Sequence, residues 1–126
     1  YPFLKDQPKF LFEYGQCLSK TGQYEEGIRI LTEGTRLSAD PMFYNIMGKD
    51  AEALKHFGQA EACFKQASYM VPHRLYPLYL LAKMYFESGQ PEKGRDMARQ
   101  VIQKEPKVMS DAVKEMKAEL EERLKP

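Results

Sequence analysis

One register of residue types occurs three times along the chain, at intervals of 33 and then 34 residues. Its clearest position is small in every copy, at Gly15, Gly48 and Ala82. Six further series keep the spacing: Leu11, Tyr44 and Leu78; Tyr14, Met47 and Leu81; Tyr24, Phe57 and Pro91; Gly27, Ala60 and Gly94; Leu31, Phe64 and Ala98; Ala39, Pro72 and Pro106. A period near 34 residues is typical of a solenoid of helical hairpins. Such folds present binding surfaces rather than reaction centres.

The pattern within each copy is helical. Apolar residues recur at i, i+3 and i+7, as at Leu11, Tyr14 and Leu18, and Gly22 and Gly89 mark tight turns. We predict helices at about 9–20, 24–37, 41–54, 57–70, 76–88, 91–104 and 110–124. The predicted fold is therefore an all-α right-handed solenoid of three hairpins (8–40, 41–74 and 75–108) with a C-terminal capping helix (109–126). Residues 1–7 are expected to end a preceding element.

Two features depart from an ideal repeat. Lys55 occupies the position at which Gly22 and Gly89 make their turns, so the second hairpin must either turn differently or carry backbone strain. Glycines also stand inside predicted helices, at Gly27, Gly34 and Gly94. Each is expected to cost about 1 kcal/mol of helix propensity.

The last predicted helix has one apolar and one charged face. Ser110 is the expected N-cap, and Glu119–Arg123 and Glu121–Lys125 are spaced for i,i+4 ion pairs. The apolar stripe consists of Met109, Ala112, Val113, Met116, Leu120 and Leu124. This pattern predicts a helix that seals the end of the solenoid, although a partner-binding helix would have the same pattern.

Composition narrows the functional class. The 126 residues include 19 basic and 18 acidic side chains, a formal net charge of +1, which argues against nucleic-acid binding. No apolar run is long enough to span a bilayer. The chain opens on Tyr1 without a signal-peptide pattern, so we expect a fragment of a longer protein. Its N-terminal edge, near Phe10, would then lack cover and could pair with a second copy as a homo-oligomer.

No motif for catalysis is present. We find no nucleophile elbow, no zinc-protease helix and no phosphate-binding loop, and we predict no catalytic residue, no metal and no cofactor. Cys17 and Cys63 are predicted to be small buried hydrophobes, with a disulfide left open. His56 and His73 fall in predicted turns, where exposure is expected.

The register resembles the tetratricopeptide repeat over about residues 8–108. The third copy carries the pattern most fully, in Leu78, Leu81-Ala82, Tyr85, Gly89, Gly94, Val101 and Pro106. The resemblance implies a protein-interaction module whose inner face is made by the first helix of each hairpin. Relatives that grip chaperone tails use a carboxylate clamp on this face, and its positions here hold Phe12, Gln16, Ile46, Tyr76 and Leu80. A chaperone adaptor is therefore not expected.

The inner face offers aromatic and lysine side chains. The candidate binding residues are Phe12, Gln16, Lys20, Asn45, Lys49, Glu52, Arg74, Tyr76, Tyr79, Lys83 and Phe86. Such a surface could hold a protein or peptide partner through its carboxylates, or stack on the sugar rings of a glycan. The alternative is that the aromatics pack against the next hairpin and the lysines are solvated.

Three stretches carry a narrower resemblance: 40–49, 69–79 and 106–110. Together they look like the C-terminal repeat region of O-antigen ligase-like or polymerase-like membrane proteins from Bacteroides-type bacteria. This implies a soluble domain that its parent tethers to the bacterial inner membrane, on a side that the segment does not reveal. It also implies a role in surface-polysaccharide assembly, with docking or a purely structural role for this segment.

Overall fold

The computed structural model describes residues 7–104 and 110–125. This part of the chain is helical, without strands, and contains seven helices: α1 (Gln7–Lys20), α2 (Tyr24–Thr35), α3 (Met42–Ala53), α4 (Phe57–Met70), α5 (Tyr76–Glu87), α6 (Pro91–Gln103) and α7 (Asp111–Leu124). The predicted seven helices are confirmed, with bounds that differ by no more than two residues. Of the element predicted at 1–7, only residue 7 lies within the described residues. Pro106 and Met109, which the sequence analysis also named, lie outside them.

The helices pack as consecutive hairpins. α1 pairs with α2, α3 with α4 and α5 with α6, while α2 and α4 each contact the first helix of the following hairpin. The odd-numbered helices also contact one another, α1 with α3, α3 with α5 and α5 with α7. These helices therefore form one layer, and its free surface is called the inner face below. The predicted all-α solenoid with a terminal capping helix is confirmed.

Glycines inside the helices allow this close packing. A Cβ built on Gly48 would lie within 2.7 Å of two ring carbons of Phe64, and one on Gly15 would lie 2.5 Å from Leu31 Cγ. A methyl group at Gly34 would likewise strike the Phe43 ring. Glycine at these positions lowers helix propensity, but it lets the helices approach closely, because an aromatic or leucine side chain packs directly against the glycine backbone.

The second hairpin makes the same turn as the other two. Lys55 has φ +62°, close to the +82° of Gly22 and the +77° of Gly89. The closing hydrogen bond is also the same, since the His56 amide donates to the Ala51 carbonyl at 2.8 Å as its counterpart does in the first turn. Of the two alternatives for Lys55, the structure therefore shows the strained one: a lysine in the left-handed region that favours glycine.

α7 closes the end of the solenoid. Its N-cap is Ser110, whose hydroxyl accepts a hydrogen bond from the Val113 amide at 3.2 Å, as predicted. Leu120 is fully buried against Ala98 and Val101 of α6. The predicted ion pairs within α7 are wrong. Glu119 and Arg123 both reach across to α5, and Lys125 pairs with Glu122 at 3.0 Å.

Other side chains agree with expectation only in part. Cys63 is buried as predicted, but Cys17 is exposed, and both thiols are free. His56 and His73 are exposed in turns, as expected. The described helices reach 14 residues, and none of them combines the length and hydropathy that a bilayer span requires.

Candidate functional site

Two clefts adjoin on the inner face. The first cleft, about 330 Å³ between α1 and α3, is lined by Gln16, Ser19, Lys20, Tyr24, Ile46, Lys49, Asp50 and Ala53. The second cleft, about 340 Å³ between α3 and α5, is lined by Lys49, Glu52, Ala53, Lys55, Leu80, Lys83 and Glu87. Because Lys49 and Ala53 line both, the two clefts lie side by side across three helices, and together we call them the inner groove.

Five of the predicted site residues line the inner groove: Gln16, Lys20, Lys49, Glu52 and Lys83. Lys20 and Lys49 are exposed at the rim, and Lys49 Nζ donates to the Tyr76 hydroxyl at 3.5 Å. These side chains come together because the repeat register places them on the free surface of successive odd-numbered helices.

Two predicted residues serve packing instead. Phe12 contacts Phe43 edge to face, with ring centroids 5.2 Å apart, and so joins the first hairpin to the second. Asn45 is only 2% exposed and does not reach the inner face. Its amide nitrogen lies 3.5 Å from Met42 Sδ, while its carbonyl oxygen has no hydrogen-bond partner among the described residues.

The aromatic candidates of the third repeat are engaged by α7. The Tyr79 hydroxyl donates to the Glu119 carboxylate at 3.0 Å, and Lys83 lies 3.3 Å from the same carboxylate and 5.0 Å from the Tyr79 ring centroid. The Arg123 guanidinium lies 5.2 Å from the Phe86 ring centroid. The capping helix therefore contacts this end of the inner face.

The last two candidates, Arg74 and Tyr76, do not line the inner groove, although Tyr76 accepts the hydrogen bond from Lys49 at its rim. Tyr76 stacks on Tyr79, with ring centroids 6.2 Å apart. Arg74 is exposed in the loop before α5. Neither side chain lines either cleft.

Sequence reasoning missed Asp50, a charged group in the wall of the first cleft. It is 2% exposed and accepts a hydrogen bond from the Ser19 hydroxyl at 2.8 Å. Burial raises its pKa to about 6, against the opposing effects of the Ser19 hydrogen bond and the Lys49 charge. The sequence did contain a signal, because Asp50 stands in register with Cys17 and Met84, and neither of those is an acidic residue.

A second acidic site lies in the other cleft. Burial raises the pKa of Glu52 to about 8, and the neighbouring Glu87 carboxylate adds to this by hydrogen bonding and repulsion. The charges of Lys83 and Lys49 oppose the shift. Glu52 therefore holds its proton more tightly than an exposed glutamate does. Within residues 7–104 and 110–125, no three acidic, cysteine or histidine side chains converge as metal ligands would.

Family models match both ends of the solenoid. Models described as tetratricopeptide repeat match residues 8–41 and 78–107, which together are half of the chain. This chain belongs to the tetratricopeptide-repeat family. In the part between the two matches, the hairpin of α3 and α4 makes the same turn with Lys55 at the glycine position.

Solved structures of the same fold superpose over nearly the whole chain. PcrH from Pseudomonas aeruginosa is 14% identical, with a TM-score of 0.82 over 94% of this chain and 89% of PcrH. The first repeat domain of Spaghetti (RPAP3), bound to the HSP90 peptide SRMEEVD, is 19% identical, with a TM-score of 0.74 over 94% and 96% of the two chains. PcrH with the chaperone binding region of PopB is 15% identical, with a TM-score of 0.73 over 94% and 95%. At these identities the likeness establishes the fold. No curated protein matches the sequence.

Proposed function

We propose that this tetratricopeptide-repeat chain is a non-enzymatic interaction module that binds an extended segment of a partner protein along the inner groove. The observation that carries the proposal is that the two clefts lie side by side, with Lys49 and Ala53 lining both. A groove that crosses three helices suits a chain of several residues better than a compact small molecule.

Similar structures support a peptide as the ligand. The RPAP3 repeat domain was solved with an HSP90 peptide, and PcrH was solved with the chaperone binding regions of PopB and PopD. Those partners belong to those proteins. What they contribute here is the expectation that a groove on this fold holds a segment of another protein.

Glycan binding is less favoured by the geometry. Stacking on sugar rings would use Tyr79 and Phe86, and these rings already contact Lys83 and Arg123 respectively. Loss of glycan affinity in a Tyr79→Ala variant would reverse this preference. The absence of affinity on a glycan panel would eliminate the glycan alternative.

Two further proposals rest on the sequence. The first is a parent protein of the O-antigen ligase type. It predicts that the gene upstream of the codon for Tyr1 encodes about ten apolar segments of about 20 residues each, which sequencing of the gene tests. The second is self-association through the N-terminal edge, where Phe10 and Tyr14 are 40% and 42% exposed. Light scattering of a concentrated solution tests the second, and a monomer would contradict it.

Filling the groove tests the leading proposal. Peptides selected by display against the intact chain should lose binding to an Ala53→Arg variant, because the new side chain occupies the junction of both clefts. The matched control is Ala62→Arg, since Ala62 is also an exposed helical alanine but lies on α4 away from the groove. Equal loss in both variants, or in neither, would contradict binding in the inner groove.

A further inference from the structure

Asp50 is a buried carboxylate that the chain only partly satisfies. Among the described residues, its one side-chain hydrogen bond comes from Ser19, whose single hydroxyl proton also lies within reach of the Gly15 carbonyl at 3.0 Å. Gly27 closes off the same carboxylate oxygen, since a Cβ there would lie 3.0 Å from Oδ2. In the part of the chain that the structure describes, no lysine, arginine or histidine forms an ion pair with Asp50. The group therefore retains unused capacity to accept hydrogen bonds.

A buried carboxylate with few hydrogen-bond donors lowers the stability of the folded state. Moving a carboxylate out of water destabilises the folded state unless a cation or several donors meet it. The raised pKa of Asp50, about 6, reflects this, and the group is still largely ionised at pH 7. The same register position holds a cysteine at Cys17 and a methionine at Met84 in the other two hairpins. The fold itself thus has no need of a carboxylate at Asp50.

The first cleft supplies a route from solvent to this carboxylate. Its walls include the apolar side chains of Ile46 and Ala53 and the half-buried ring of Tyr24, and Asp50 lines it. We infer that the first cleft binds one cationic side chain, lysine or arginine, of the partner segment, with its aliphatic stem along these walls and its head group donating to Asp50. This inference rests on the proposed function and adds the chemical class of side chain that the groove selects.

The charged residues around the first cleft are compatible with a cationic occupant. Lys20 and Lys49 are exposed at the rim, where water weakens their repulsion of an incoming cation to about 1 kcal/mol at 4 Å. Asp50 acts at short range from a desolvated position, where the Coulomb energy between two charges is several times larger than in water. The adjoining cleft holds Lys49, Lys55 and Lys83 beside Glu52 and Glu87, so the attraction for a cation in the first cleft rests on Asp50 alone.

A pair of small probes tests the inference directly. The intact chain is titrated with n-butylguanidinium chloride and with n-butylurea, its neutral counterpart of similar shape, and the amide NMR shifts of Ser19, Asp50 and Ala53 are followed. We expect saturable millimolar binding of the guanidinium probe, and binding of the urea about tenfold weaker. The isosteric variant Asp50→Asn keeps the acceptor for Ser19 but should weaken guanidinium binding about tenfold. No saturable shift, equal binding of the two probes, or an unchanged Asp50→Asn variant would each overturn the inference.

The pH dependence gives a second measurement that needs no variant. Guanidinium affinity should fall about tenfold per pH unit below pH 6, as Asp50 takes up a proton. Ser19 of α1 donates to Asp50, and the titratable groups around it are Lys20 of α1, Tyr24 of α2 and Lys49 of α3, which line the same cleft, and Cys63 of α4. Burial raises the pKa of the Cys63 thiol to about 11, so the thiol stays neutral throughout this range. A flat profile from pH 8 to pH 5 would contradict the assignment.

The two proposals fail in different ways. If Ala53→Arg abolishes binding of the selected peptides but those peptides show no dependence on a lysine or arginine, the inner groove is the binding site and the inference about Asp50 is wrong. If neither Ala53→Arg nor Asp50→Asn changes peptide binding, the inner groove itself is the wrong surface.

Discussion

Gly48 is a position at which one added methyl group should lower the stability of the fold for a clear structural reason. In Gly48→Ala, the new Cβ would lie within 2.7 Å of two ring carbons of Phe64, against about 3.4 Å for an ordinary contact. The ring would have to retreat by about 0.7 Å or more. It is fully buried in a cluster with Ala51, Ala60 and Leu81, so its neighbours would have to move as well.

The magnitude follows from two opposing effects. Overpacking a rigid core costs about 1–3 kcal/mol, and this contact with an enclosed ring belongs at the upper end. Replacing glycine by alanine inside a helix returns about 1 kcal/mol. The expected net loss is about 2 kcal/mol, which for a chain of 126 residues lowers Tm by about 6–10 °C.

The assay is thermal unfolding followed by circular dichroism, with Gly58→Ala as the matched control. Gly58 also lies in a helix, but nothing stands within 4 Å of an added Cβ. The control should therefore gain about 0.5–1 kcal/mol of stability. In a Phe64→Leu background, the cost of Gly48→Ala should fall by at least about 1 kcal/mol, because the ring carbons are gone. A Gly48→Ala variant as stable as the parent chain would refute the steric argument.

Three other outcomes follow from local geometry. Burial raises the pKa of Asp50 from its ordinary 3.8 to about 6, so the stability that this group contributes at low pH is lost as pH rises through about 6. Asp50→Asn should therefore be about 2–3 kcal/mol more stable than the parent chain at pH 8 and little changed at pH 4, by urea unfolding at both pH values. Ser110→Ala removes the N-cap of α7 and should cost about 1 kcal/mol, with faster hydrogen exchange confined to α7 if the helix frays locally. Lys55→Gly relieves a left-handed lysine and should add about 0.5–1 kcal/mol in the same urea assay, and a loss would show that the lysine is unstrained.

The sequence was sufficient to predict the architecture because the same residue types recur three times at the positions where helices pack closely or turn. Small residues at Gly15, Gly48 and Ala82 mark where helices approach closely, and Gly22 and Gly89 mark where they turn. Each requirement is local in sequence or set by one register. This is why the helix bounds agree closely, and why the N-cap at Ser110 could be named in advance.

The site was less predictable, because the composition of a groove depends on side chains from different helices. From the sequence alone, Asp50 is expected to be a surface charge on α3, whereas in the structure Ser19 and Gly27 enclose it. Tyr79 and Glu119 are 40 residues apart, and their hydrogen bond exists only because α7 packs back against α5. The i,i+4 spacing within α7 therefore predicted the wrong partner for Glu119.

The sequence by itself determined the periodic properties of this protein: its helices, its turns, the solenoid and the absence of any motif for catalysis. The tertiary structure decided which polar side chains lost water, and so which of them can act on a ligand. Desolvation depends on what neighbouring helices place around a group, and a linear pattern does not contain that information. Asp50 shows the difference: its register position was legible in the chain, while its burial beside an open cleft was not.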